Sequence, residues 1–398
     1  MSRLNRFLLF LLGSSLLLSS CAAYRDTLIE KQAAGGIPKT AVLRDLRRVT
    51  PATLPDHAYR EMDYGISPWF RSSQVAVSLT FDDGTLDQYL LGYSELAKRN
   101  IRATFFLITS FRGEQGFWQD GPDSRELLSW DQAREIARSG HEIGSHGRVH
   151  RLLLGRSGPV EEELRESRAK IEREIRKQKC VSFCWPFWKS DEESRFLASL
   201  YYLSARAGGP SPERYPDKNG GIPLPDPSDL YQINSLGILA SSPLEVWLEA
   251  GQSITGKMGW AVINLHGIDD GTIPREALGW QALPLDIYRD LLEYISAQDA
   301  WIAPFGEVAR YIHERQASAL KLFRRSANRI ILVLEDNLDD EIFSQALTLK
   351  LRLPSGWKGA EVYQNGQIMW SRMSESGFLL FDAFPDSSPT ILTRRQAG

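Results

Sequence analysis

The sequence predicts an α/β fold built on a parallel sheet, followed by a smaller all-β segment. Three observations carry this. From Val75 to about Ala317, short apolar runs alternate with amphipathic stretches of helical length. Repeated strand–helix units imply parallel strands with helices packed on the sheet. After about residue 325 strand-like runs follow one another with turn residues between them, the pattern of a small sandwich. Finally, the polar residues able to do chemistry fall just after strands of the first part, so they gather at one rim.

Val75–Phe81 reads as a strand and Leu86–Arg99 as a helix; Ala103–Ile108 is the second strand. Ser129 and Asp131 suit the start of a helix running to Arg138. Glu142–Ser145 leads into a group of histidines, and Val160–Gln178 is a charged amphipathic helix. Cys180–Trp185 and Tyr202–Arg206 read as strands around a helix over Glu192–Leu200. Gly208–Asp229, rich in Gly, Pro and Asp, is a long loop, either lying over the rim or a plain surface insertion. Leu244–Gly251 and Asp286–Ser296 are helices, Trp260–Leu265 an apolar strand-like run. Trp301–Phe305 is the last strand of this part, and Phe305–Ala317 its last helix. Arg329–Leu334, Leu347–Leu353 and Gly377–Asp382 are the strands of the β segment, residues 325–398. That segment has no His and no Cys, and it serves either packing or carbohydrate contact.

The chain has 398 residues and a formal net charge of −3. Length allows about two domains plus a targeting segment, and the charge leaves no nucleic-acid footprint. Arg3 and Arg6 precede an apolar run from Phe7 to Leu12, then Leu and Ser up to Cys21. This is a signal peptide over residues 1–20, too short to span a bilayer. Leu18-Ser19-Ser20-Cys21 resembles a bacterial lipobox. It implies cleavage before Cys21, lipidation of its thiol, and a chain anchored to the membrane without crossing it. Ala22 is not Asp, which points to the outer membrane where a cell envelope has two. Residues 21–70, of mixed polarity, read as a tether and lead-in. Cys180 and Cys184 lie on one extended run, roughly 13 Å apart. That is too far for a bridge, so both are expected as buried free thiols.

Two short runs carry the chemistry. Thr80-Phe81-Asp82-Asp83-Gly84 closes the first strand, and Ser145-His146-Gly147-Arg148-Val149-His150 follows some sixty residues later. Alone, an Asp-Asp-Gly triplet suits a turn, and two histidines four apart suit a solvated helix face. However, the chain has six histidines, and His141, His146 and His150 fall within ten residues. One carboxylate with two imidazoles is a ligand set for zinc that leaves a position open for water. The second carboxylate can take a proton from that water. A third run, Ile263-Asn264-Leu265-His266-Gly267, puts His266 at a strand end as a candidate general acid.

These runs resemble the polysaccharide deacetylase (NodB-homology) superfamily, the family-four carbohydrate esterases, over about residues 71–317. The resemblance implies a distorted (β/α) barrel of about seven strands. It makes Asp82 the base, Asp83, His146 and His150 the metal ligands, and His266 the acid. Gly147 stands where the family has Ser or Thr, so a hydroxyl that braces the loop is missing. In Phe183-Cys184-Trp185-Pro186-Phe187, Cys184 stands where an Arg pairs with the base. Arg206, ending a later strand, either substitutes for it or is a surface charge. The Phe187 N–H would hold the oxyanion, and Trp185 and Leu265 would line a pocket for the acetyl methyl.

The expected activity is metal-dependent removal of N- or O-linked acetyl groups from a cell-envelope or extracellular polysaccharide or oligosaccharide. Zn2+ is the expected ion; Co2+ and Ni2+ use the same ligands. Cys184 and Gly147 motivate the alternative, a catalytically weakened glycan-binding lipoprotein on the same fold.

Overall fold

The barrel strands form where the chain can be apolar on both faces. The computed structural model describes residues 64–110, 117–120, 123–208, 227–241 and 259–395. The leader with Cys21, the helix expected over 244–251 and most of the 208–229 loop lie outside these residues. Within them, residues 57–398 belong to one compact unit, and no helix is long and apolar enough to cross a membrane.

Strand β1 (Val75–Phe81) is buried at every position, as expected of a central strand covered on both faces. It is followed in chain order by β2 (Thr104–Leu107), β3 (Glu142–Ser145), β4 (Ser182–Cys184), β5 (Ser204–Arg206), β6 (Leu236–Gly237), β7 (Trp260–Leu265) and β8 (Ala300–Ile302). The order in the sheet is β5-β4-β3-β2-β1-β7-β6, with β8 also on β1. Every pairing is parallel. Eight strands therefore stand where about seven were expected, the extra one being the two-residue β6.

The distortion of the barrel is visible along β1. One flank pairs with β7 from Ala76 to Phe81. The other flank is shared: β8 takes Val75–Val77 and β2 takes Thr80–Phe81. Closure depends on a single segment. Ile233 N–H donates to Ala205 O at 3.0 Å and its carbonyl accepts from Ala207 N at 2.8 Å. Three residues on, Leu236 and Gly237 pair with Ile263 and Asn264. Residues 230–238 thus bond both open edges and join β5 to β7.

The helices begin where capping groups allow. The helix after β1 opens as a π-helical turn (Gln88–Tyr93) and continues as α1 (Ser94–Lys98). Helix α2 (Trp130–Arg138) starts at Ser129, whose hydroxyl accepts from Gln132 N while Gln132 reaches back to Ser129 N. This reciprocal cap satisfies two otherwise orphaned donors. Helix α3 (Gly158–Glu174) stops short of the expected Gln178 because Ile175 leaves helical geometry (φ −110°, ψ 71°). Helix α4 (Glu192–Ala198) is capped by Asp191. Helices α5 (Leu285–Ser296) and α6 (Phe305–Ala317) flank β8.

The C-terminal strands form two antiparallel sheets. One has five strands, in the order Ala319–Arg325, Arg329–Glu335, Thr390–Arg394, Ala360–Gln364, Gln367–Ile368. The other has four and begins with Tyr64–Ile66, paired to Leu347–Arg352. The lead-in before the barrel therefore ends as a strand of the C-terminal layer. Ile330, Leu332 and Leu392 of one sheet and Leu349 and Phe381 of the other share a core with Val308, Tyr311 and Ile312 of α6. The sandwich therefore packs directly on the barrel. Tyr311 O–H donates to Ser67 O at 3.0 Å beneath it.

Candidate active site

All the candidate groups sit at the C-terminal ends of barrel strands. Asp82 and Asp83 follow β1, His146 and His150 follow β3, Cys184 ends β4, Arg206 ends β5, and Asn264 and His266 lie at the end of β7. The backbone bends sharply there: Asp83 and His150 hold left-handed φ values of 71° and 53°. Non-glycine residues in that region store strain that tends to cluster at functional sites.

Asp83, His146 and His150 converge. The Nε2 atoms of His146 and His150 lie 3.5 and 3.7 Å from Asp83 Oδ1. One ligating atom from each lies within 4.8 Å of the other two. His146 Nδ1 lies 2.9 Å from Cys184 O. A backbone carbonyl only accepts, so Nδ1 carries the proton and the Nε2 lone pair faces Asp83. Burial pushes the His146 pKa down to about 3, which keeps the ring neutral. A carboxylate with two imidazoles is the donor chemistry of a divalent transition-metal site. A second trio, Asp82, His146 and Cys184, is equally close. Its chemistry is poorer, because Asp82 is already paired and burial pushes the Cys184 thiol well above its ordinary pKa.

Asp82 is 1% exposed and surrounded by donors. Arg206, at 0% exposure, donates from Nη2 to Asp82 Oδ2. Asn264 Nδ2 donates to the same oxygen at 2.9 Å. The Cys184 thiol lies 3.6 Å from Oδ1. Burial by itself would raise the Asp82 pKa, but Arg206, His146, His266 and the Asn264 amide together outweigh it and hold the carboxyl well below the usual range. Arg206 is fixed in turn by Ser235 Oγ at 2.7 Å and by the Phe106 ring, 5.7 Å from its guanidinium carbon. Ser235 belongs to the closing segment 230–238. Of the two readings of Arg206, the structure shows the one beside Asp82. Cys184 fills the volume a longer side chain would need.

The loop at Gly147 is braced by a carboxylate. Glu163, in α3, is 1% exposed. Its Oε2 accepts the N–H groups of Arg148 and Val149 at 2.6 and 3.0 Å. A Cβ on Gly147 (φ +82°) would come within 3.2 Å of that oxygen. A carboxylate from the next helix therefore occupies the space and supplies the acceptor.

His266 lies across the site, its Nε2 3.8 Å from Asp82 Oδ2. Burial pushes its pKa down to about 4. Trp188 and Trp280 stand beside it, with ring centroids 6.2 and 5.1 Å away. Behind it, Asp87 ties the loop down, accepting from Ile268 N at 2.6 Å and Gly279 N at 3.2 Å. Leu265 and Trp185 are fully buried, and the Trp185 indole N–H donates to Tyr231 O at 2.9 Å. The Phe187 ring is 54% exposed and lies 4.7 Å from His150, on backbone held at φ 56°. His141, counted in the histidine cluster, does not join the site. It is buried in a structural contact, its Nδ1 accepting Ala103 N–H at 3.1 Å just before β2. Cys180 and Cys184 are both buried and free.

The parallel barrel thus brings two carboxylates, paired histidines and a further His to one rim. Residues 71–204 match the polysaccharide deacetylase family model. Over 375 residues the chain is 24% identical to a gellan lyase of Bacillus sp.. The match covers 85% of this chain, which spans 14% of the length of that curated relative. Among solved structures, the chain is similar to a Streptococcus pyogenes deacetylase in complex with acetate (22% identity, TM-score 0.33, 43% of this chain and 68% of that one). It is also similar to a polysaccharide deacetylase from Bacillus cereus (20%, TM-score 0.33, 43% and 49%). A third likeness is to a mutant of a family-four carbohydrate esterase pseudoenzyme with restored enzymatic activity (16%, TM-score 0.39, 59% and 67%).

Proposed function

We propose that the chain is a metal-dependent deacetylase that removes N- or O-linked acetyl groups from a cell-envelope or extracellular polysaccharide. The observation that carries this is the pairing of two adjacent carboxylates with opposite environments. Asp83 faces the imidazoles of His146 and His150, while Asp82 is turned away to Arg206 and Asn264. Asp83, His146 and His150 would hold the ion, Zn2+ or another divalent transition metal. When bound, such an ion polarises a carbonyl and lowers the pKa of water.

The chain's own groups do the rest. Arg206 and Asn264 occupy Asp82 Oδ2, which leaves Oδ1 as the basic oxygen that accepts a proton. The Phe187 N–H would donate to the carbonyl oxygen as charge builds there. His266, neutral at rest and 3.8 Å from Asp82 Oδ2, would take over the proton that Asp82 removes from water and deliver it to the departing nitrogen or oxygen. Trp188 and Trp280 shield it and offer flat faces to a sugar ring. The likeness to part of a gellan lyase is in keeping with a polysaccharide partner. The two departures that motivated a weakened site, Cys184 and Gly147, are each met by another residue, Arg206 and Glu163.

The test is acetate release from acetylated oligosaccharides, with bound metal measured in parallel. Asp82→Asn should keep its metal and lose about 10²–10⁴-fold in kcat, the usual worth of a positioned base. Turnover of that variant at the wild-type rate would remove Asp82 from the mechanism.

A further inference from the structure

The outer face of the five-stranded C-terminal sheet carries side chains in register from edge to edge. Arg324 stands opposite Ile331, Ile331 opposite Ile391, Ile391 opposite Tyr363, and Tyr363 opposite Ile368. Directly opposed residues share a face. Their neighbours Ile330, Leu332, Val362 and Leu392 are buried in the core, so this row is the outward one. Ile331, Ile391 and Tyr363 are partly exposed, and Ile368 is 72% exposed. Four strand spacings make a strip roughly 19 Å long. At the far edge the register shifts between Leu322 and Arg324, so Phe323 is the extra residue of a bulge. Bulges re-aim side chains, and Phe323 is 74% exposed.

The cations on this face are arginines. Arg324 and Arg329 stand in the outward register, exposed Arg395 follows the last strand, and Arg329 pairs across the ladder with Thr393. Among the described residues none of the three has a carboxylate partner, whereas nearby Lys321 is paired with Glu335 at 3.0 Å. Arginine presents a planar fork that matches a carboxylate bidentately.

We propose that this face binds an anionic polysaccharide, with sugar rings lying along the strip and on Phe323 and carboxylates held by the arginines. It rests on the polysaccharide reading of the catalytic site and narrows it to acidic chains. A bilayer fits less well, because it would favour an apolar wedge backed by cations alone, whereas the same face carries Glu361 and the Tyr363 hydroxyl, bonded to each other at 2.8 Å.

The test uses the full chain and two forms of one polymer, polygalacturonate and its methyl ester, in a calorimetric or gel-retardation titration. Polygalacturonate should bind, more weakly as NaCl is added, and the ester should not. Arg324→Gln/Arg329→Gln/Arg395→Gln should lower affinity about tenfold or more, given the worth of charged hydrogen bonds. Phe323→Ala should lower it less. All these positions are exposed, and unchanged melting would show that the variants fold. Acetate release from a short neutral oligosaccharide should be unaffected in the variants, which separates this face from the catalytic site. Equal binding of ester and acid, wild-type affinity in the triple variant, or binding to phosphatidylglycerol vesicles but not to polygalacturonate would each overturn the proposal. Binding that persists while no acetylated substrate is turned over would leave this face standing and remove the deacetylase reading.

Discussion

Replacing Arg206 by Ala tests the electrostatic logic of the site most directly. The guanidinium is fully buried and is the cation in contact with Asp82. Without it, Asp82 keeps the Asn264 amide at 2.9 Å and a distant thiol. Removing one partner of a buried ion pair costs about 3–5 kcal/mol when the other stays charged. At 1.36 kcal/mol per pKa unit this amounts to roughly two to four units, so Asp82 relieves the cost by taking up a proton. The molecule contains its own reference for the outcome. Asp87 is also fully buried and accepts two backbone N–H groups, but no cation pairs with it, and burial pushes its pKa up to about 7. The base must be ionised to work, so raising its pKa moves the acidic limb of the kcat/KM–pH profile upward. The wild type should keep a deprotonated base through the ordinary pH range. Arg206→Ala should lose activity as pH falls through neutrality, with metal content unchanged. Arg206→Lys should recover part of the shift. Stability follows the same sign. Asp82 is held below its unfolded value, so the pair stabilises above about pH 4 and that contribution fades on acidification; the Ala variant should lack this slope. An acidic limb left in place in Arg206→Ala, at wild-type turnover, would refute the assignment.

Three further outcomes are expected. His146→Ala and His150→Ala should each lose most of the bound divalent ion by elemental analysis; full occupancy in both would place the metal elsewhere. Glu163→Ala leaves the Arg148 and Val149 N–H groups without their acceptor, a loss of about 1–3 kcal/mol. It should lower the melting temperature and weaken metal retention, while Glu163→Gln, which keeps one acceptor, should do so less. Cys21→Ser should release the chain from the membrane fraction or leave its leader uncleaved, and normal lipid labelling of that variant would contradict the lipobox reading.

The parts of the site legible in the sequence were those encoded locally. Asp82 with Asp83, and His146 with His150, are close enough in the chain to be seen as one pattern, and the strand–helix alternation sets the rim on which they meet. Arg206 was visible only as an open choice, because its partner lies 124 residues away. Glu163 was hidden among the charges of an amphipathic helix. Its phase was the signal: Val160, Glu163, Leu164, Ser167, Arg168 and Ile171 are the buried positions of α3, one helical stripe that a solvated acid has no reason to occupy. Asn264 gave a similar sign, as an amide in an otherwise apolar buried strand. Trp188 and Trp280 gave none, since a loop tryptophan does not declare which ring it will face. The Tyr64–Ile66 strand was too short, and too far in sequence from Leu347–Arg352, for any local pattern to join them.

The route by which the guanidinium reaches Asp82 constrains how such a site can change over generations. The charge arrives from the end of β5, and a thiol at the end of β4 occupies the neighbouring volume. Positions 184 and 206 are therefore coupled. Cys184→Arg in this background would crowd two cations around one carboxylate, in space now filled by sulfur. Arg206→Ala alone leaves the carboxylate without its cation. The two changes made together should therefore cost less than the sum of each made alone, as expected of neighbours that share a partner.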